Sequence, residues 1–320
     1  MRVMIGIAIF LGAIILLIGF LIMYHRLKLR LEKQKIVPNG RLVKVDGNQI
    51  HVYTEGDNEQ APVILFLSGV TPIAPVYDFK PVWSKLSKEY RIAVVERIGY
   101  GYSDVDVTAA RDIDTLLSNT RTALALADIK GPYVLCVHSL AGLESLHFAQ
   151  VAKEEVAGIV GIDMLLPKLY LESGKELIKP LEQAREIRGL FRLGLQRLPL
   201  SIENLKLSPL KFTKEEQSQA KYLILRNLFN DVIFNEIDQL ESNANVVAAG
   251  GVVDVPMKLL VANKQHTPEL SKDWVQAHEE FAKEHQAQIK IFDSGHMLYQ
   301  EKPEEVAAEI RDFVKGLEVK

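Results

Sequence analysis

Tyr133-Val134-Leu135-Cys136-Val137-His138-Ser139-Leu140-Ala141-Gly142 is the stretch whose reading decides the fold. Tyr133 to Val137 is an apolar run of the kind found in a buried strand, and Leu140 to Ala152 has a helical pattern. A serine where a strand gives way to a helix is pushed out of the sheet. The helix behind it offers free backbone N–H groups to a developing negative charge. The usual form of such an elbow is G-x-S-x-G. Here Val137 and Ala141 replace the two glycines, and Gly142 follows one step later. A serine after a strand is also a common helix cap, so the stretch alone leaves both readings open.

Working outward, short apolar runs alternate with helical patterns. Arg41–Gly47 and Asn48–Gly56 alternate apolar and polar residues about Asp46-Gly47, a hairpin signal. Pro62–Leu67, Arg91–Glu96 and Val156–Asp163 are continuous apolar strands, and Phe79–Tyr90 and Asp112–Ala127 have helical periodicity. From Met164 to about Val255 the rhythm breaks into helical patterns, including Glu176–Arg197 and a helix opened by a Thr213/Glu216 capping box. It returns with the strand Pro256–Ala262, the helix Ser271–Glu284, the strand Gln288–Phe292 and the helix Pro303–Leu317. This pattern predicts an α/β fold: a mostly parallel eight-stranded sheet flanked by helices, with a helical cap at about 164–255 inserted after strand 6. Such a cap lies over the C-terminal strand edge, where open α/β sheets bind ligands.

The chain has 320 residues, 48% hydrophobic and 25% charged, with net charge −3, which gives no sign of a nucleic-acid partner. Its single cysteine, Cys136, cannot form an internal disulfide. Val3 to Tyr24 carries no charge. At about 1.5 Å per residue it is long enough to span a bilayer core. Arg26, Lys28, Arg30, Lys33 and Lys35 follow it, and only Arg2 precedes it. We expect a transmembrane helix at 1–24, a basic juxtamembrane linker at 25–40 and the folded domain at 41–320. The positive flank places that domain on the cytoplasmic side. A signal sequence that exports the domain is the alternative.

Several segments together resemble the α/β-hydrolase fold family across nearly all of residues 41–320. Leu67-Ser68-Gly69-Val70 stands where that family has a His-Gly turn. Glu96-Arg97-Ile98-Gly99-Tyr100-Gly101-Tyr102-Ser103 is similar to its D-x-x-G-x-G-x-S loop, with Glu for Asp. His138-Ser139-Leu140 fits the elbow, and Gly295-His296-Met297 before Pro303 resembles its late G-H segment.

The resemblance implies Ser139 as nucleophile and His296 as base, with backbone N–H groups of Val70 and Leu140 as oxyanion donors. The family's usual acid follows the seventh strand, where this chain has Gln265, which cannot stabilise an imidazolium by charge. Some branches place the acid after the sixth strand, and Asp163 ends that strand here. Glu269 is the next choice. A serine nucleophile favours attack on an ester-type carbonyl and disfavours the halide- and epoxide-opening branches, which form an ester on an aspartate.

No metal-ligand spacing, phosphate loop or dinucleotide fingerprint is present in the sequence, so no cofactor is expected. The expected partners are a small, apolar substrate and, through residues 3–24, a membrane. A lipid-like ester is one candidate, from the apolar stretch Leu190–Leu195 in the cap. Two other readings stand beside this one. A serine aminopeptidase of the same fold would use a cap acid (Glu182, Glu186 or Glu203) to grip an amine. A non-catalytic binding protein would account for Val137, Ser68 and Gln265.

Overall fold

The computed structural model describes residues 1–71, 73–197, 212–265 and 267–318. Eight strands form one sheet: β1 (Arg41–Val45), β2 (Asn48–Glu55), β3 (Val63–Leu67), β4 (Ile92–Glu96), β5 (Tyr133–Ser139), β6 (Val156–Met164), β7 (Met257–Lys264) and β8 (Gln288–Gly295). Their order is β1-β2-β4-β3-β5-β6-β7-β8. β1 and β2 are the expected hairpin, turning at Asp46 and Gly47, both at positive φ (47° and 88°). β2 runs antiparallel to β4, and from β4 to β8 every pairing is parallel.

The central strands are apolar without alternation because helices cover both faces of the sheet. β3 and β4 are buried along their whole length. Successive side chains point to opposite faces and feed two cores. Leu65, Leu135 and Val137 belong to one, and Ile64, Phe66, Val134 and Cys136 to the other. Each fully buried Leu or Ile contributes about 1.5–3 kcal/mol.

Two helical expectations were corrected by proline. Phe79–Tyr90 is not one helix: Pro75–Asp78 and Lys80–Trp83 are separate single turns, and Pro81 sits in the first turn of the second. Glu176–Arg197 divides likewise into Pro167–Leu177 and Lys179–Arg192, with Pro180 just past the break at Ile178. A proline interior to a helix removes a hydrogen bond, whereas at a helix start it costs nothing. The Thr213/Glu216 capping box is formed and opens the helix Lys214–Asn227. Among the described residues, the chain between β6 and β7 contains no strand.

The N-terminal helix runs from Arg2 to Lys33, and its apolar window, with mean hydropathy 3.0, is nowhere buried. It is long and apolar enough to cross a membrane, a test that a signal sequence also passes. The helix does not stop at Tyr24, and residues 25–33 continue it.

Candidate active site

β5 ends at Ser139, whose φ is +55°, and the helix Ala141–Val151 starts two residues later. A left-handed backbone at a non-glycine residue costs on the order of 1–3 kcal/mol and persists only where its surroundings enforce it. They do so here. Ser139 O accepts a 2.8 Å hydrogen bond from Leu165 N. A Cβ at Gly142 would lie 2.4 Å from Leu165 O, so the displaced glycine lets the end of β6 close over the elbow. Val137, the bulky residue of the elbow, lies between Leu67 of β3 and Gly161 of β6, and Gly161 leaves room for the Met164 side chain.

The turn after β3 faces the serine. A Cβ at Gly69 would fall 2.7 Å from Ser139 Cβ and 2.8 Å from Leu140 N. Val70 and Leu140 line one cavity with Ser139. Neither backbone N–H of this pair donates within the protein, among the described residues. Two such donors beside a half-buried hydroxyl on a cavity wall are what an oxyanion requires.

Asp163 closes β6 at φ +48° and is fully buried. Four donors converge on it. His296 Nδ1 lies 2.7 Å and Gln265 Nε2 3.0 Å from Oδ2, while Trp274 Nε1 at 2.7 Å and Ala262 N at 2.8 Å reach Oδ1. Burial opposes ionisation of this carboxyl, but the hydrogen bond and charge of His296 outweigh it and hold the pKa below the ordinary aspartate value. With Nδ1–H given to Asp163, the Nε2 lone pair of His296 is free on the cavity side. The His138 and His296 rings meet at a tilt of 43°, centroids 4.5 Å apart, and His138 Nε2 donates to His296 O at 3.0 Å. Burial, with the His296 charge, lowers the His138 pKa to about 3, so this ring is neutral.

The structure thus brings Asp163 and His296 together, with Ser139 and His296 on one cavity wall. Glu269 is exposed on the first turn of the helix Pro268–Glu284 and does not contact His296. No hydrogen bond joins Ser139 Oγ to His296 in this state of the protein. Such contacts are often long without substrate and tighten in the reacting complex. Sequence reasoning treated Gln265 only as an acid gone missing, yet its amide steadies the acid on the neighbouring strand. Trp274 was missed altogether. Its only signal was an indole N–H on a helix next to the β7 loop.

The cavity measures about 420 Å³. Its wall is apolar (Leu165, Leu181, Phe191, Phe229 and Ile233 among others), with Thr71, Ser139, Gln265 and His296 as its polar members. A larger hollow of about 760 Å³ lies at the start of β5, the opposite end of that strand from Ser139.

Beneath the site lies a second buried charge cluster that the sequence did not reveal. Arg97 pairs with Glu144 at 2.9 Å and Glu236 at 2.8 Å, and Arg111 pairs with Glu236 at 2.8 Å. Thr120 donates to Glu144, and Arg97 Nη2 donates to Ser68 O at 2.6 Å, just ahead of the Gly69-Val70 turn. Burial alone would lower the Arg97 pKa, but the two glutamates more than reverse that and lock the guanidinium in its charged form.

A model of the alpha/beta hydrolase family matches residues 64–309, and the chain belongs to that family. It is a hydrolase of this fold. Over 319 residues it is 32% identical to the uncharacterized protein YbdG of Bacillus subtilis (strain 168), covering 95% of each chain. Among solved structures it is similar to an enol-lactonase from Burkholderia xenovorans LB400 (TM-score 0.60, 15% identity, 86% of this chain and 100% of that one). It is also similar to an epoxide hydrolase from Bacillus megaterium (TM-score 0.63, 16% identity, 86% of this chain and 100% of that one). At these identities the likeness is one of fold.

Proposed function

We propose that this protein is a membrane-anchored serine hydrolase that cleaves an ester-type carbonyl substrate through an acyl-enzyme on Ser139. The observation that carries the reading is the 2.7 Å bond between His296 Nδ1 and a buried, ionised Asp163, on the cavity that Ser139 lines. Ser139 Oγ attacks the carbonyl carbon while His296 Nε2 takes its proton. The carbonyl π electrons move to oxygen, which the N–H groups of Val70 and Leu140 receive. Collapse of the intermediate breaks the bond to the leaving alcohol, which takes the proton from His296. A water then gives a proton to His296 and attacks the acyl carbon, releasing the acid and restoring Ser139. Asp163 keeps the ring in the productive tautomer and stabilises its cationic form.

A hydroxyl in the elbow, not a carboxylate, supports acyl transfer over the epoxide opening named for one structural neighbour. An amine-gripping peptidase has less support. Among the described residues, the cavity wall carries no carboxylate. Glu182 is engaged by Arg185 at 3.5 Å, Glu186 is exposed, and Glu203 lies outside the described residues. The apolar N-terminal helix with its basic flank supports a single-pass anchor with the domain on the cytoplasmic side.

Covalent labelling by a fluorophosphonate tests the reading. The intact protein is expected to be labelled, Ser139→Ala to lose the label, and Asp163→Asn to label much more slowly. A folded protein that takes no label would overturn it in favour of a binding role.

A further inference from the structure

The N-terminal helix does not hang from the domain by a loose tether. Beyond Tyr24 its continuation is clamped to the cap. His25 is buried. Gly194, at φ +80°, packs so tightly on it that a Cβ there would lie 2.8 Å from His25 Cβ. Arg197 Nε donates to His25 Nδ1 at 2.8 Å, and its two terminal nitrogens grip both oxygens of Glu32 at 2.7 and 2.6 Å. His25 and Glu32 are seven residues apart, so one arginine spans two turns of a single helix face. Gln219 of the cap bonds Lys35 O at 2.9 Å and Val37 N at 3.0 Å.

This clamp fixes a level. His25 is the first residue after the apolar run, and Gly194 sits against it. The cap helix Lys179–Arg192 therefore ends where the anchor leaves the hydrocarbon. That helix leaves Ile187 (49%) and Leu190 (48%) exposed, and its next residue, Phe191, lines the cavity. Arg26, Arg30 and Lys33 are exposed on the neighbouring anchor turns, placed to meet anionic headgroups. Gln183 and Glu186 are exposed on the turn before, so the apolar part is the last turn alone, and its two side chains beside a basic flank, held where the apolar run ends, make a small interfacial surface.

We infer that this face of the cap rests on the bilayer and that the cavity takes its substrate from the membrane, as a long-chain acyl ester dissolved in lipid. The substrate half of this inference rests on the Ser139 hydrolase reading. The docking half rests on the membrane-anchor reading alone.

Two measurements on the full chain, reconstituted in vesicles of phosphatidylcholine and phosphatidylglycerol, test it. In the first, Leu190→Cys and, at the far end of the helix that follows Ser139, Val151→Cys carry an environment-sensitive fluorophore. Native Cys136 is buried and does not compete. Lipids brominated on their acyl chains are expected to quench the label at 190 and not at 151. An unquenched label at 190 overturns the docking surface and leaves that face to a protein partner or to solvent.

In the second, hydrolysis of a long-chain ester held in the bilayer is compared with that of the water-soluble acetate of the same fluorophore. Arg197→Glu opposes Glu32 and is expected to slow the long-chain ester about tenfold, with the acetate unchanged, and Arg197→Glu with Glu32→Arg to restore it. Equal loss on both esters, or none on either, overturns the membrane route. If neither ester is cleaved and Ser139 takes no fluorophosphonate, the hydrolase reading and the substrate claim fail together. Quenching then still decides the surface alone.

Discussion

Two buried charge clusters lie on either side of Ser139, and they are built differently. The cluster at the ends of β6 and β8 has one carboxylate, Asp163, loaded with four donors, and its histidine is a third exposed toward the cavity. The cluster under the turn after β3 has two arginines and two glutamates, all almost fully buried. The first is open at one end, with His296 standing between the buried Asp163 and the cavity. The second has no wall on the cavity, and its two arginines and two glutamates are matched in number. One cluster is suited to moving a proton. The other is suited to holding three segments in place: the Ser68 turn, the helix after Ser139 and the cap. Buried charge by itself therefore does not mark a reacting group; an unspent coordination site facing a cavity does.

The sharpest way to break this comparison is to exchange the effects. Asp163→Asn keeps the volume and removes the charge that holds the His296 tautomer. It is expected to lower kcat by roughly ten-thousandfold, read on any ester the enzyme cleaves. If Asp163→Asn retains most of its activity, the open cluster is not the proton route. Arg97→Met is the next largest effect. It leaves Glu144 and half of Glu236 buried without their partner, and a loss of about 3–5 kcal/mol is expected in urea unfolding. A loss below about 1 kcal/mol would mean that water or a rearranged Arg111 already compensates the pair.

A pH-dependent effect, small near neutrality, concerns His138, which packs against the open cluster yet takes no part in it. Its pKa of about 3 in the folded protein lies below the value of 6.5 expected when unfolded. The unfolded chain therefore binds the extra proton between those values, and stability rises with pH across that window. Acidification from about pH 6.5 toward about pH 3 is expected to cost up to about 1.4 kcal/mol per pH unit from this residue. His138→Gln keeps a donor for His296 O and cannot titrate, so its melting temperature is expected to fall less steeply over that range. Parallel curves for the two proteins would remove His138 from the account.

The fold was legible because its signals are local. Apolar runs ending in Gly69, Ser139 and Asp163 placed three strand ends at one sheet edge, and the loss of strand pattern after Met164 marked the cap. Where the sequence misled, proline chemistry had been read too coarsely, as in the single helix expected over Phe79–Tyr90. The three candidates Ser139, His296 and Asp163 could be picked out because each stands at or just past the end of a strand. What was hidden lies in contacts between distant positions. Arg97 meets Glu144 across 47 residues, and Arg111 meets Glu236 across 125. No periodicity connects such positions. Gln265 misled in a subtler way: judged alone it was a missing acid, whereas its value lies in the neighbour it donates to.

The attachment of the cap is uneven, and that shapes how the enzyme can breathe. Its later half is stitched to the loop after β4: Asn227 to Gly101 O, Asn230 to Gly99 O, Arg226 to Ser103 O, Asn243 to Arg111 O. Among the described residues, its earlier half, Pro167–Arg192, makes no hydrogen bond to that loop; Lys168 pairs with Glu280 at 3.8 Å, and Arg185 and Arg188 bond within the cap to Asp238 and Asp231. The cap is a plate riveted along its later margin and pinned at one corner to the N-terminal helix. The earlier half, which carries the cavity residue Phe191, is the part with fewer bonds to hold it shut.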